Sequence, residues 1–337
     1  MIAAILVIVG LSVLVLIHEL GHFIAAKNAG LLVEEFGFGF PPRAIAWKRG
    51  ETVYSINWLP FGGFVKIYGE KGEGKADKRS FAHQSLWRRF VIIAAGISIN
   101  FIFGWLLLSI VFMTGARQAV VISEVVKGSP AESVSLAAND EIVGFKTPEE
   151  FVAFTNAHRG QATTISIMHA GAAREVTVTP RKDPTPGQGA LGVAVVGAGF
   201  ERLGFFDSLW KGLTVSIESM GEILKAFGSL VGDLVGHAQV PENVVGPVGI
   251  FGVAGQLGSL GMVYVLQLIA LISLNLAVLN FIPFPALDGG RILFLIIEKI
   301  KGSPIHAKRE LWANAISFGL LVLLMIIITT RDIVRLF

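Results

Sequence analysis

Four stretches of the chain stay apolar over the length of a bilayer-crossing helix: roughly residues 2–26, 90–114, 261–282 and 311–329. About 20 helical residues cover a hydrocarbon core, so each predicts a transmembrane helix. Between the second and third, the pattern changes twice. Residues 120–126, 141–145, 163–168 and 174–179 read as short strands, the last two forming a hairpin about Gly171. Ser129-Pro130-Ala131-Glu132 and Thr147-Pro148-Glu149-Glu150 are helix starts, with Pro in the first turn, and the second helix runs through Ala157. After a Pro/Gly linker at 181–189, Leu209, Leu213, Ile217, Met220 and Leu224 recur three or four apart. That spacing predicts an amphipathic helix, or a broken pair, over 205–236, placed on the outer leaflet, over the mouth of the membrane core, or as a connector packed on the soluble domain.

The connection between the first two spans is of a different kind. Residues 35–42 read Glu-Phe-Gly-Phe-Gly-Phe-Pro-Pro, and residues 52–58 and 63–68 alternate as strands about the turn Leu59-Pro60-Phe61-Gly62. This predicts an aromatic-rich hairpin or small sheet that dips into the membrane interface or leans on the spans. Its edge is free to pair with an extended peptide. Residues 70–79 are charged and Gly-rich, a loose loop. Trp87, Arg88 and Arg89 anchor the start of the second span at the headgroups.

Composition agrees with this plan. The chain has 337 residues, 53% apolar and 16% charged, which is the balance of a membrane protein. There is no cysteine, so any metal is held by His, Asp or Glu. The net charge of +3 is scattered, and nothing suggests nucleic acid. Lys and Arg concentrate in 27–89 and 299–309. The positive-inside rule makes those connections cytoplasmic and puts both termini and residues 115–260 outside. The first span lacks a basic leader and carries polar chemistry where cleavage would fall, unlike a signal peptide.

That chemistry is His18-Glu19-Leu20-Gly21-His22. Histidines four apart share a helix face and can share a metal ion, with Glu19 as general base on water. Ionisable residues inside a span are costly and mark function. The third span ends Asn280-Phe281-Ile282-Pro283-Phe284-Pro285-Ala286-Leu287-Asp288-Gly289-Gly290. Pro283 and Pro285 break the helix at membrane depth, which is tolerated where backbone is buried or lines a cavity. Asp288 reads either as an N-cap for the next helix or as a third ligand beside His18 and His22, completing an open zinc site. Asn100, within the second span, reads as a helix–helix hydrogen-bonding residue.

Taken together, the two motifs resemble the paired signature of the site-2 protease family of intramembrane zinc metalloproteases. Pro60-Phe61-Gly62-Gly63-Phe64-Val65-Lys66 is similar to the family's membrane-associated β-hairpin. Ser129-Pro130-Ala131-Glu132 with Asn139-Asp140-Glu141-Ile142-Val143 resembles a PDZ domain, and Gly246-Pro247-Val248-Gly249-Ile250 the segment before the third span in bacterial members. The resemblance implies an α-helical polytopic membrane protein of the bacterial plasma membrane. It would have four transmembrane helices, a membrane-associated β-hairpin and one extracytoplasmic PDZ-like α+β domain, where RseP-type members have two. The expected divisions are 1–114, 115–182 (PDZ-like), 183–260 and 261–337. It implies Zn2+ on His18, His22 and Asp288, Glu19 as catalytic base, and substrate held by Asn280, Pro283, Pro285, Gly62, Gly63 and Phe64. It implies single-span membrane proteins as substrates, cut within the lipid bilayer, with an upstream site-1-type protease acting first. In place of the family's usual proline after Gly96, this chain has Ile97. A metal or proton transporter, or an inactive client-binding relative, are the alternatives. Inverted repeats are absent, against the first, and Glu19 is intact, against the second.

Overall fold

The computed structural model describes residues 2–169, 172–184, 188–237 and 246–336. It divides into two compact units, Met1–Ser109 with Leu209–Phe337, and Ile110–Ser208.

In chain order, the first unit holds α1 (Ile2–Asn28), β1 (Val33–Arg49), β2 (Thr52–Ile67) and most of α2 (Leu86–Thr114). The second holds β3 (Ala116–Val125), α3 (Pro130–Ser133), β4 (Glu141–Val143), α4 (Pro148–Ala157), β5 (Thr163–His169), β6 (Ala172–Val178) and β7 (Val193–Phe200). The chain returns to the first unit within α5 (Phe205–His237), which is followed there by α6 (Pro247–Leu260), α7 (Met262–Phe281), α8 (Asp288–Lys301) and α9 (Ala307–Leu336).

Among the described residues, four helices are long and apolar enough to cross a membrane: Ile5–Asn28, Leu86–Thr114, Met262–Phe281 and Lys308–Val334. Leu320, Leu323 and Ile326 on α9 are more than half exposed. Such outward apolar faces suit lipid contact, since the bilayer is as apolar as the side chains. Buried apolar residues from α1, β1, β2, α2, α7 and α8 form one cluster, including Val33, Ile67, Ile92, Ile97, Ala277 and Leu295.

The hairpin differs from the sequence expectation. The reversal is at Gly50 (φ +63°) and Glu51, not at residues 59–62. β2 runs unbroken from Thr52 to Ile67, and its partner is the Phe-Gly-Phe-Gly-Phe stretch of β1. Phe36 sits opposite both Val65 and Tyr54, and Gly37 opposite both Phe64 and Ser55. The first half of β1 therefore lies between the two halves of β2. Pro60 and Gly62 signal a turn locally, but the pairing of β1 on both sides of the break overrides them. Residues 63–67 pair with β1 on one side, and no strand pairs with their other side among the described residues. Glu35 is buried in this sheet, paired with Arg43 and accepting from Ser55 Oγ at 2.7 Å. Burial pushes its carboxyl up, but Arg43 and Ser55 outweigh that and hold it below the usual range.

Residues 70–79 are also more tied down than a loose loop. Glu70 pairs with Arg291, Arg79 with Glu51, and Ser80 Oγ donates to the Glu73 carbonyl at 2.9 Å. Charge and glycine raise local freedom, but they do not reveal a distant partner.

The second unit is a five-stranded antiparallel sheet in the order β6-β5-β4-β3-β7. Val120, Ile122, Ile142, Phe151, Ile165 and Ile167 fill its core. Thr147 and Ser129 cap α4 and α3, with Glu150 and Glu132 reaching back to the backbone N–H groups of Lys146 and Gly128. The unit is longer than the 115–182 read from sequence. Residues 193–200, left to the linker, form an edge strand on β3, and their small residues give little alternation to read. The centre of the expected β5–β6 turn, Gly171, and residues 185–187 of the linker lie outside the described residues.

Candidate metal centre

His18 and His22 are one helical turn apart on α1, and both are buried. Their Nε2 atoms are 3.2 Å apart. Asp288 Oδ2 lies 2.9 Å from His18 Nε2 and 3.2 Å from His22 Nε2. Tetrahedral zinc with bonds near 2.05 Å places its ligands roughly 3.3 Å apart, so this triangle has the size of one face of a zinc site.

The hydrogen bonding agrees. His22 Nδ1 lies 2.9 Å from the Ile92 carbonyl, which can only accept. The proton is therefore on Nδ1, and in that tautomer Nε2 can offer a lone pair toward the other two donors. Converging lone pairs and a carboxylate need a cation between them. Among the described residues this is the one cluster of three metal-capable side chains whose donor atoms fall within 4.8 Å of one another.

Helix packing makes room for the rings. Gly96 of α2 faces both histidines, and a Cβ there would lie 2.4 Å from His22 Nε2 and 2.9 Å from His18 Cε1. Gly21 lets α1 approach the α2 backbone, since its Cβ would meet the Ala95 carbonyl at 2.5 Å.

Asp288 reaches the histidines because the chain turns sharply between α7 and α8. Cβ atoms on Gly289 and Gly290 would lie 2.2 Å and 2.3 Å from the carbonyls of Ile282 and Phe284, so only glycine allows the turn. Leu287 takes the N-cap position of α8 with no side-chain cap. The Asp288 carboxylate faces His18 and His22 rather than capping the helix. Two ion pairs hold α8. Arg89 of α2 donates to both oxygens of Glu298 at 3.1 and 3.0 Å, and Arg291 pairs with Glu70. Partial burial works against the Arg291 charge, and the Glu70 carboxylate more than offsets it.

A cavity of about 210 Å³ opens beside the cluster, lined among others by Glu19, His22, Asp288, Phe64, Glu70 and Arg291. Gly63 lies against Glu19, as a Cβ there would sit 3.4 Å from Glu19 Cγ. Gly62 is one residue further, at φ +87° under the Phe40 ring. Asn280 is half-buried in the last turn of α7, and Pro283 and Pro285 lie in the α7–α8 link. None of these three lines the cavity. A larger cavity, about 640 Å³, lies in the second unit between residues 114–116, Gln118, residues 144–146 and residues 200–202, and among the described residues no cluster of metal-capable side chains lines it.

Sequence reading did not connect Asn100 with this site. It is fully buried, with Nδ2 3.4 Å from His18 Nδ1, and its backbone carbonyl accepts from Ser273 Oγ at 2.8 Å. The available signal was spacing: Ile92, Gly96 and Asn100 step by four along α2, as His18 and His22 do along α1.

The chain matches peptidase family M50 over residues 6–324. It is 32% identical over 328 residues to the Clostridium perfringens protein CPE1693, covering 96% of both chains. It is 29% identical to the zinc metalloprotease RasP of Geobacillus kaustophilus, covering 98% of this chain and 97% of that one. It is 28% identical to the regulator of sigma-W protease RasP of Bacillus subtilis, covering 96% of both.

Proposed function

This chain belongs to peptidase family M50 and is a multi-pass membrane zinc metalloprotease; on that premise we propose that it cuts single-span membrane proteins within their transmembrane segments. The observation that carries the reading is Asp288 against His18 and His22, with Glu19 in the same cavity, on helices of membrane-crossing length.

His18, His22 and Asp288 would hold the zinc. When bound, zinc supplies Lewis-acid activation of water and of the scissile carbonyl. Glu19 takes a proton from the attacking water and gives it to the departing amine. A helical amide is shielded by its own hydrogen bonding, so the substrate unwinds locally before it reacts. Residues 63–67 suit the unwound strand: they have an unpaired side, Gly63 touches Glu19, and Phe64 and Val65 line the cavity. Backbone pairing there places an extended segment beside the general base without reading its side chains. Asn280, Pro283 and Pro285, bordering the α7–α8 link, would contact substrate outside this cavity.

The excess of Lys and Arg in 27–89 and 299–309 supports a site toward the cytoplasm, with both termini and the second unit outside, in a bacterial plasma membrane. The second unit, read as PDZ-like, would admit substrates already shortened by an upstream site-1-type protease. The relative named for regulation of sigma-W supports an anti-sigma factor as one such substrate, and remnant signal peptides fit the same site.

The test is cleavage of a single-span substrate in detergent by the native protein and by Glu19→Gln, with zinc quantified in both. The expected result is zinc in both and a loss of at least about 100-fold in the variant's rate. Equal rates would overturn the role of Glu19.

A further inference from the structure

We propose that Asn100 is a positioning residue for the metal centre: its Oδ1 accepts from His18 Nδ1–H and so fixes the tautomer that turns the His18 Nε2 lone pair toward the metal. This rests on the zinc reading above and extends it to a residue in another helix.

Asn100 is fully buried in α2, a span-length helix. An amide at that depth is costly unless it has a partner. Its side chain has one hydrogen-bonding neighbour, His18 Nδ1 at 3.4 Å, and its other polar end, Oδ1 as placed, has none. The two ends of an amide are nearly isosteric. Whichever end faces His18, the other is left unpaired, so that unpaired end does not set the orientation. The metal centre sets it. His18 Nε2 is the atom that converges on Asp288 Oδ2 and His22 Nε2. An imidazole that gives its Nε2 lone pair to a cation carries its proton on Nδ1. Nδ1–H facing Nδ2–H would set donor against donor, and Nδ1–H facing Oδ1 makes a hydrogen bond.

His22 shows the same logic one turn away. Its Nδ1 is 2.9 Å from the Ile92 carbonyl, a pure acceptor four residues before Gly96, as Asn100 is four after. One face of α2 thus presents an acceptor to each histidine, with Gly96 between them clearing space for both rings. Ser273 of α7 donates to the Asn100 backbone carbonyl at 2.8 Å, seating this turn of α2 against the helix that leads to Asp288.

The experiment compares zinc affinity, by chelator competition, in the native protein, Asn100→Leu and Asn100→Asp. Leu keeps the size and removes the acceptor; Asp is nearly isosteric and can only accept. We expect Asn100→Leu to bind zinc about 10- to 100-fold more weakly and Asn100→Asp to stay within about threefold of native. Native-like affinity in Asn100→Leu, or equal loss in both variants, would overturn the proposal. Since Asn100→Leu could fail for want of folding, nitrogen-15 NMR of the zinc-loaded native protein reads the tautomer directly. A proton on His18 Nδ1 supports the assignment, and a proton on Nε2 overturns it. A native protein that binds no zinc would overturn the metal-centre reading itself, and this proposal with it.

Discussion

A substitution at Gly96 disturbs the candidate metal centre without replacing any of its three donor residues. Its Cβ position lies inside contact distance of both histidine rings, 2.4 Å from His22 Nε2. One methyl there must push α2 away or rotate a ring off the metal axis, and overpacking of this kind costs about 1–3 kcal/mol. Gly96→Ala is expected to lower zinc affinity at least about tenfold, read as zinc retained after dialysis against a chelator. Full retention would show that α1 and α2 can part by the width of a methyl group at no cost to the site. At this scale the sequence was most readable for side chains that carry chemistry. His18, Glu19 and His22 name a metal site by type and spacing, because a helix fixes which residues share a face. Gly96 and Asn100 carry no such mark: a glycine in an apolar helix looks like ordinary close packing, and a lone amide like a helix–helix bond. Their meaning depends on which helix lies opposite.

Among the elements, α1, α2, α7 and α9 followed from length and apolarity alone, and α4 followed to the residue from its capping box, Pro148–Ala157. The hairpin did not. Local turn residues pointed to residues 59–62, while the structure turns at Gly50 and pairs both halves of β2 with β1. Strand pairing is a long-range choice, and Pro and Gly signal breaks without saying whether a break is a turn or an irregularity within a strand. The observed pairing sharpens a test of substrate binding. Proline scanned through residues 63–67 removes backbone donors one at a time. At positions whose N–H faces away from β1, cleavage is expected to fall about tenfold per hydrogen bond lost to substrate, taking a bond as about 1.4 kcal/mol, with zinc content unchanged. Undiminished cleavage at every such position would remove strand pairing from the mechanism.

For the molecule as a whole, the division of the chain bears on selectivity. The compact unit is Ile110–Ser208, and β7 closes one edge of its sheet. If this unit filters substrates, deleting residues 116–200 and joining the ends with a short flexible linker is expected to widen the range of single-span proteins cut while leaving zinc bound. An unchanged range would assign the selectivity to the first unit. A deletion that stops at residue 179 leaves β7 without β3 and exposes an unpaired edge, so it is expected to aggregate; size-exclusion chromatography of the two deletions separates these outcomes.

The sequence by itself determined the membrane class, the four helices of membrane-crossing length, the helix caps and the residue types that meet at the candidate metal centre. Each of these is set by local physics: apolar length against bilayer thickness, side chains bonding to nearby backbone, and donor spacing on one helix. Only the tertiary structure decided that the Asp288 carboxylate meets the histidines rather than capping its helix, since that depends on a tight glycine-dependent turn that brings it to His22, 266 residues away in the chain. The same holds for the two-sided pairing of β1, the edge strand β7, and α2 as the wall that seats both histidines. Each of these is a contact between segments far apart in sequence, and a local pattern cannot name its own partner.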